Sequence, residues 1–239
     1  MPEWWTYSLS DFLMFSPRTY YRLFELHNAA VWPAQLLAIA LGIAILALLR
    51  RAEVWAGRAV AAILAACWLW VAWAYFFLRY ADISLAGRYF AIGFAAEALL
   101  IAWVGIVRSR LRFQAPAGTV RTAGVCIFLY ALLVHPLLAP FTGRPWLQAE
   151  LFGVAPDPTA IGTLGVLVTA QRRHWGLLAL PLLWCAVSGA TLWTMQSPDA
   201  PVLPAAAVLA VLLTAWKSRA RDQGTSSTEP DDLRSSISR

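Results

Sequence analysis

Long apolar runs separated by short basic clusters set the pattern of this chain. Seven runs stand out: Val31–Leu49, Ala59–Leu78, Arg88–Val107, Thr122–Ala139, Pro158–Ala170, Trp175–Thr194 and Val202–Trp216. Most approach the ~20 residues that a helix needs to cross a hydrocarbon core about 30 Å thick. The fifth and seventh are shorter. The pattern predicts an all-α fold: a polytopic integral membrane bundle of seven transmembrane helices over residues 31–221.

The basic residues alternate with the runs. Arg50, Arg51 and Arg58 follow the first run, and Arg108, Arg110, Arg112 and Arg121 the third. Arg172 and Arg173 follow the fifth, and Lys217, Arg219 and Arg221 the seventh. The other connections hold Arg18, Arg22, Arg79, Arg88 and Arg144, mixed with acids such as Glu25, Asp82, Glu150 and Asp157. Twelve against five sets an orientation by the positive-inside rule, with the N-terminus outside and the C-terminus cytoplasmic. A re-entrant fifth run would put Arg172 and Arg173 outside, so the charge pattern predicts that this run crosses.

The ends differ from the middle. Residues 1–30 are amphipathic. Ser16-Pro17 offers an N-cap followed by proline at the first helical position, and Tyr20, Leu23, Phe24 and His27 then recur at helical spacing. Trp4, Trp5, Tyr7, Tyr20 and Tyr21 suit the headgroup level. This segment reads as interfacial on the outer face, with a folded cap over the bundle mouth as the competing arrangement. The stretch MPEWWTYSLSDF has no basic leader, apolar core or cleavage site of a signal peptide. Residues 222–239 are polar without an apolar period and read as a disordered cytoplasmic tail. The two halves do not match as repeats, so an inverted-repeat transporter architecture gets no support.

Composition agrees with residence in the lipid bilayer. Hydrophobic residues make up 60% of the chain and charged residues 13%, against about 25% charged in a soluble domain. The net charge of +6 lies in short clusters between apolar runs, which excludes a nucleic-acid partner. Arginine in place of lysine, with abundant alanine, suggests a GC-rich bacterial genome. Cys67, Cys126 and Cys185 fall inside apolar runs without metal-ligand or disulfide spacing and read as small packing residues. Seven helices with the N-terminus outside also describe rhodopsins, but Lys217, the single lysine, lies at the end of the seventh run, where it cannot carry a retinal Schiff base.

Candidate chemistry is sparse. The stretch LFGVAPDPTAIGTLG puts Gly153, Pro156 and Pro158 around Asp157 just where the short fifth run begins. It predicts an irregular outer portion, then a helix with Asp157 as N-cap and Pro158 at its first position. The Asp157 carboxylate would accept from the N–H of Thr159 or Ala160. Irregular backbone at membrane depth must be buried in protein or line a wet cavity, so the break implies an outward-facing polar vestibule. Gly162 and Gly165 keep this helix slim for close packing. Asp157 either only caps the helix or also meets a ligand.

Glu97 lies mid-way along the third run. An acid at that depth costs a few kcal/mol and must face the interior, paired or protonated. It is either a packing residue or a proton or cation site. His135-Pro136 sits toward the outer end of the fourth run, at a depth similar to Asp157. Arg144 and Glu150, in the outer connection, can pair with each other or with Asp157. The candidate ligand or ion contacts are therefore Asp157, Glu97, His135, Thr159, Arg144 and Glu150. No catalytic residue, cofactor or metal site is predicted. His27 and His174 fall at opposite faces, and no HExxH, GxSxG, Walker or CxxCH motif occurs.

The block EWWTYSLSDFLMFSPRTYYRLFELHNAAVWPAQ and the later FGVAPDPTAIGTLG resemble the bacterial family DUF6064, from Trp4 to about Trp216. The resemblance implies a small multi-pass inner-membrane protein and supplies no activity. It also implies a cysteine between the two prolines, where this chain has Asp157. A position that accepts two ionisable groups favours a ligand or metal role over a thiol-specific one. The leading function is transport or sensing of a small solute or ion. The alternatives are an accessory subunit bound to other membrane subunits and, more weakly, a membrane-embedded enzyme.

Overall fold

A computed structural model describes residues 16–113 and 118–226. Trp4, Trp5, Tyr7 and the tail 227–239 lie outside the described residues, among which every regular element is helical. The helices are α1 (Pro17–Ala30), α2 (Ala34–Leu48), α3 (Val54–Trp70), α4 (Ala86–Ile101), α5 (Thr119–Leu129), α6 (Leu138–Phe141), α7 (Pro156–Thr169), α8 (Trp175–Thr194) and α9 (Val202–Ser226). Three continue as wider π-helical turns: α3 over Val71–Phe77, α4 over Ala102–Val107 and α5 over Tyr130–Val134.

Four helical stretches are long and apolar enough to cross a membrane: Val54–Asp82, Ala86–Val107, Thr119–Phe141 and Trp175–Thr194. A fifth arises if α1 and α2, bent by 90° at their junction, count as one broken span. Leu36, Leu99, Leu133, Leu183 and Leu212 project outward, each more than half exposed. A surface of this kind suits lipid. The sequence-predicted runs coincide with these helices to within a few residues at most ends. The last helix reaches Ser226, past the expected boundary at 221.

Contacts fix which helix ends lie together. Arg121 Nη2 donates to the carbonyl of Leu49 at 2.7 Å, and Gln171 N donates to that of Arg112 at 2.8 Å. Lys217 Nζ donates to that of Val168 at 3.4 Å. The cations sit against carbonyls that helix C-termini leave unpaired. His174 joins this basic end, where burial and then the charge of Lys217 lower its pKa below the ordinary imidazole range. The opposite end gathers α1, Tyr80, His135, Arg144, the stretch from Leu147 to Val154 and Asp199.

At that opposite end α1 is a lid. Ser16 Oγ accepts from Thr19 N at 3.2 Å and Pro17 occupies the first turn, as its sequence predicts. The helix buries Tyr20, Leu23, Phe24, His27 and Asn28 against the bundle, with the Phe24 ring stacked on Tyr75 at 5.1 Å. Each large apolar side chain taken out of water contributes roughly 1.5–3 kcal/mol. This packing holds the inner face of α1 against the bundle.

The middle of the molecule is α7, all of whose residues are buried. It packs most extensively on α5, where a Cβ on Gly165 would stand 2.7 Å from Phe128 N and one on Gly124 2.8 Å from the Gly165 carbonyl. Glycine lets the two backbones touch. A helix of 14 residues spans only about 21 Å. Enclosed by protein, it need not match the thickness of the hydrocarbon.

Candidate functional site

The chain approaches α7 through irregular backbone. Pro145 to Val154 contains one short turn, Trp146–Gln148, and a bend at Gly153, whose φ of +76° favours glycine. In an apolar setting every polar group of this stretch needs a partner. Asn28 Nδ2 donates to the carbonyls of Leu147 and Ala149, both at 2.8 Å. The His27 Nε2–H donates to that of Val154 at 3.3 Å. Gly153 N donates to Thr159 Oγ1 at 2.9 Å, and that hydroxyl donates onward to the Ala155 carbonyl at 2.6 Å. The lid helix and the first turn of α7 thus hold the break from both sides.

The expected cap at Asp157 is corrected here. Ala155 is the N-cap, Pro156 opens the helix, and Asp157 lies within its first turn without a capping bond. The first four N–H groups of a helix have no partner within it. Two of the first residues here are prolines, which carry no N–H, so the buried helix start needs little capping. The Asp157 carboxylate is free to reach α8. Trp184 Nε1 donates to Oδ1 and Ser188 Oγ to Oδ2, each at 2.8 Å. Thr159, expected to touch a ligand, has its hydroxyl engaged with backbone instead.

Around Asp157 the structure assembles a buried polar cluster. Glu150 and His135 lie within electrostatic reach of it. Glu150 stands 3.9 Å from both His135 Nε2 and Arg144 Nη1. Arg144 Nη2 donates to Asp199 Oδ2 at 2.7 Å, and its guanidinium lies 4.1 Å from the centre of the Tyr21 ring. Tyr21 meets Ser197 at 2.5 Å, and Ser197 in turn bonds Asp199. The cluster holds three carboxyl groups: Arg144 pairs with Glu150 and Asp199, and Asp157 lies within reach of Glu150. All three carboxyls are under a tenth exposed. His27 Nδ1, His135 Nδ1, Arg144 Nη1 and Glu150 Oε2 are buried without a hydrogen-bond partner among the described residues. Buried polar atoms are almost always bonded, so the cluster retains unused bonding capacity.

Beside the cluster is a small cavity lined by Tyr20, Tyr75, Tyr80, Phe90, Trp184 and Ser188, with Val187 and Thr191. It measures about 10 Å³, room for a single water-sized occupant. Asp157 lies directly behind two of its walls, Trp184 and Ser188, and within electrostatic reach of Tyr20, Tyr75 and Tyr80. The polar groups of the cluster are buried, and the cavity beside them is small and only partly enclosed.

His135, Arg144, Glu150 and Asp157 therefore come together, and Glu97 does not join them. It is fully buried on α4, neither oxygen has a hydrogen-bond partner among the described residues, and no charged group acts on it. Trp184, Ser188, Asp199 and the three tyrosines escaped the sequence reading. Trp184 and Ser188 were legible in principle, since a donor pair at i, i+4 shares one helix face.

The fold is a helical membrane-type bundle whose polar chemistry is concentrated at one end, around the start of a buried short helix. Within that class the chain belongs to DUF6064, a family of unknown function, whose pattern matches residues 18–225. No curated protein and no solved structure matches the chain.

Proposed function

We propose that this protein binds a small non-metal cation, ammonium-sized or a proton, in the small cavity beside Asp157, and that it moves or senses that cation across a bacterial inner membrane. The observation that carries this reading is the pairing of a water-sized, aromatic-walled cavity with an excess of buried carboxyls. Ring faces attract cations, most strongly where water is excluded, and a buried negative excess invites a compensating positive charge. Among the described residues no group of three or more His, Cys, Asp or Glu side chains is arranged to hold a metal ion, which favours a cation bound by rings and one carboxylate. The lid helix α1 contributes Tyr20 to the cavity wall.

The same reading carries seven crossings, with the lid outside and the basic end cytoplasmic. The alternation of helix ends supports it, as does the full enclosure of α7, which relieves that helix of spanning lipid by itself. A second reading, an accessory subunit of a larger membrane complex, rests on the exposed row Trp70, Trp73 and Phe77, in which the last two rings stack at 5.2 Å. It predicts co-purification of a partner with the exposed row buried.

Thermal unfolding of purified protein tests the main reading. Ammonium raises the melting temperature of the wild type, and Asp157→Asn, which keeps hydrogen-bonding groups for Trp184 and Ser188 while removing the charge, abolishes the rise. Equal responses to ammonium and sodium in both proteins contradict it.

A further inference from the structure

Among the described residues, Glu97 is the one fully buried acid that the cap-end cluster leaves unexplained. It lies one helical turn beyond Phe94, whose ring packs on Trp68 at 4.3 Å and on Trp184 at 5.2 Å. Both carboxyl oxygens are buried without a hydrogen-bond partner. The elements packed against α4 carry Arg58, Cys67, Tyr75, Arg79, Tyr80, Asp82 and Cys185 as titratable groups. None of them acts on Glu97, whose environment is burial alone. An ionised carboxylate in such surroundings would carry a penalty of several kcal/mol with nothing to offset it, so in this conformation the group holds a proton.

A metal cation asks for several oxygen ligands, and Glu97 brings a single carboxyl. A proton needs only one oxygen. The helix also has a built-in way to change the surroundings of this group. Five residues after Glu97, α4 gives way to the π-helical turns Ala102–Val107. Such turns are rare and recur at functional sites. Rewinding one π turn as α shifts the register by one residue, which rotates everything N-terminal to it by about 100° relative to the rest. Glu97 would then leave its apolar pocket.

We propose that Glu97 is a second proton-binding site, separate from the cap-end cluster. It is loaded in the conformation described here and unloaded when α4 rewinds at Ala102–Val107. The loaded side chain sits neutral among apolar neighbours. Rewinding exposes it to a polar partner or water, where the proton leaves as a hydrated ion and the carboxylate remains.

Dicyclohexylcarbodiimide, which reacts with protonated carboxyls in apolar surroundings, tests this on the full chain in liposomes, with adducts located by peptide mass spectrometry. The expected result is an adduct on Glu97 at about pH 7, with a labelling rate at least tenfold lower at about pH 10 that recovers on return to neutrality. Excess sodium leaves the rate unchanged, and Asp157→Asn leaves the Glu97 adduct in place. Glu97→Gln removes that adduct. An unlabelled Glu97 at neutral pH overturns the proposal. So does a rate independent of pH across that range, the mark of a locked structural proton, or protection by sodium, the mark of a metal-cation site.

Discussion

The start of α7 and the middle of α4 both bury a carboxyl completely, and the two are built in opposite ways. Asp157 has two donors from α8 on its oxygens and a neighbouring acid and histidine. Glu97 has none of these. A bonded buried acid is part of the fold, because removing it strands its donors. An unbonded one is tolerated by the fold, and what keeps it in the sequence lies elsewhere. The difference separates a site held ready by its surroundings from one whose surroundings must change.

Substitution breaks this comparison most sharply. Asp157→Ala leaves the Trp184 and Ser188 donors buried and unpaired, and should lower stability by about 2–5 kcal/mol. Glu97→Met removes an unsatisfied group at similar volume and should be neutral or stabilising by about 1–2 kcal/mol. Thermal unfolding of the two variants in detergent checks both signs, and destabilisation by both would erase the contrast. A smaller effect is expected at the lid. Asn28→Ala strands the carbonyls of Leu147 and Ala149 and should reduce stability by about 1–3 kcal/mol. Limited proteolysis should then cut first within residues 145–155, while α4 remains protected.

The smallest effect belongs to the basic end and follows from His174. Its pKa is lowered in the folded protein by burial and by Lys217, so the unfolded chain takes up a proton first as pH falls. Stability contributed by the neutral ring is complete above the unfolded value of about 6.5 and declines as pH drops below it. His174→Gln should flatten that decline in a melting-temperature profile without altering the neutral-pH value by more than about 1 kcal/mol.

Much of the architecture was legible because lipid imposes a coarse code. Run length, basic clusters and the Ser16-Pro17 start each follow from a single local rule, and the helices fall where those rules put them. The proximity of His135, Arg144, Glu150 and Asp157 was partly readable, since His135 was expected at a depth similar to Asp157, and Arg144 and Glu150 in the outer connection, able to pair with each other or with Asp157. What escaped was direction. Whether Asp157 turns back to its own helix start or across to α8 depends on how α7 and α8 are rotated, and no periodicity reports that for a helix buried on every side. The small size of the cavity escaped for the same reason. Tyr20, Tyr75 and Tyr80 lie on different elements, and only packing brings their rings to one cavity.

Amide hydrogen exchange tests most directly whether the cap-end cluster is a binding site and not a structural knot. With saturating ammonium, α1 and the amides from Leu147 to Ala155 should exchange more slowly in the wild type, with the basic end unaffected and Asp157→Asn unresponsive. Exchange in those segments that ignores ammonium, or that slows equally throughout the bundle, would contradict the account.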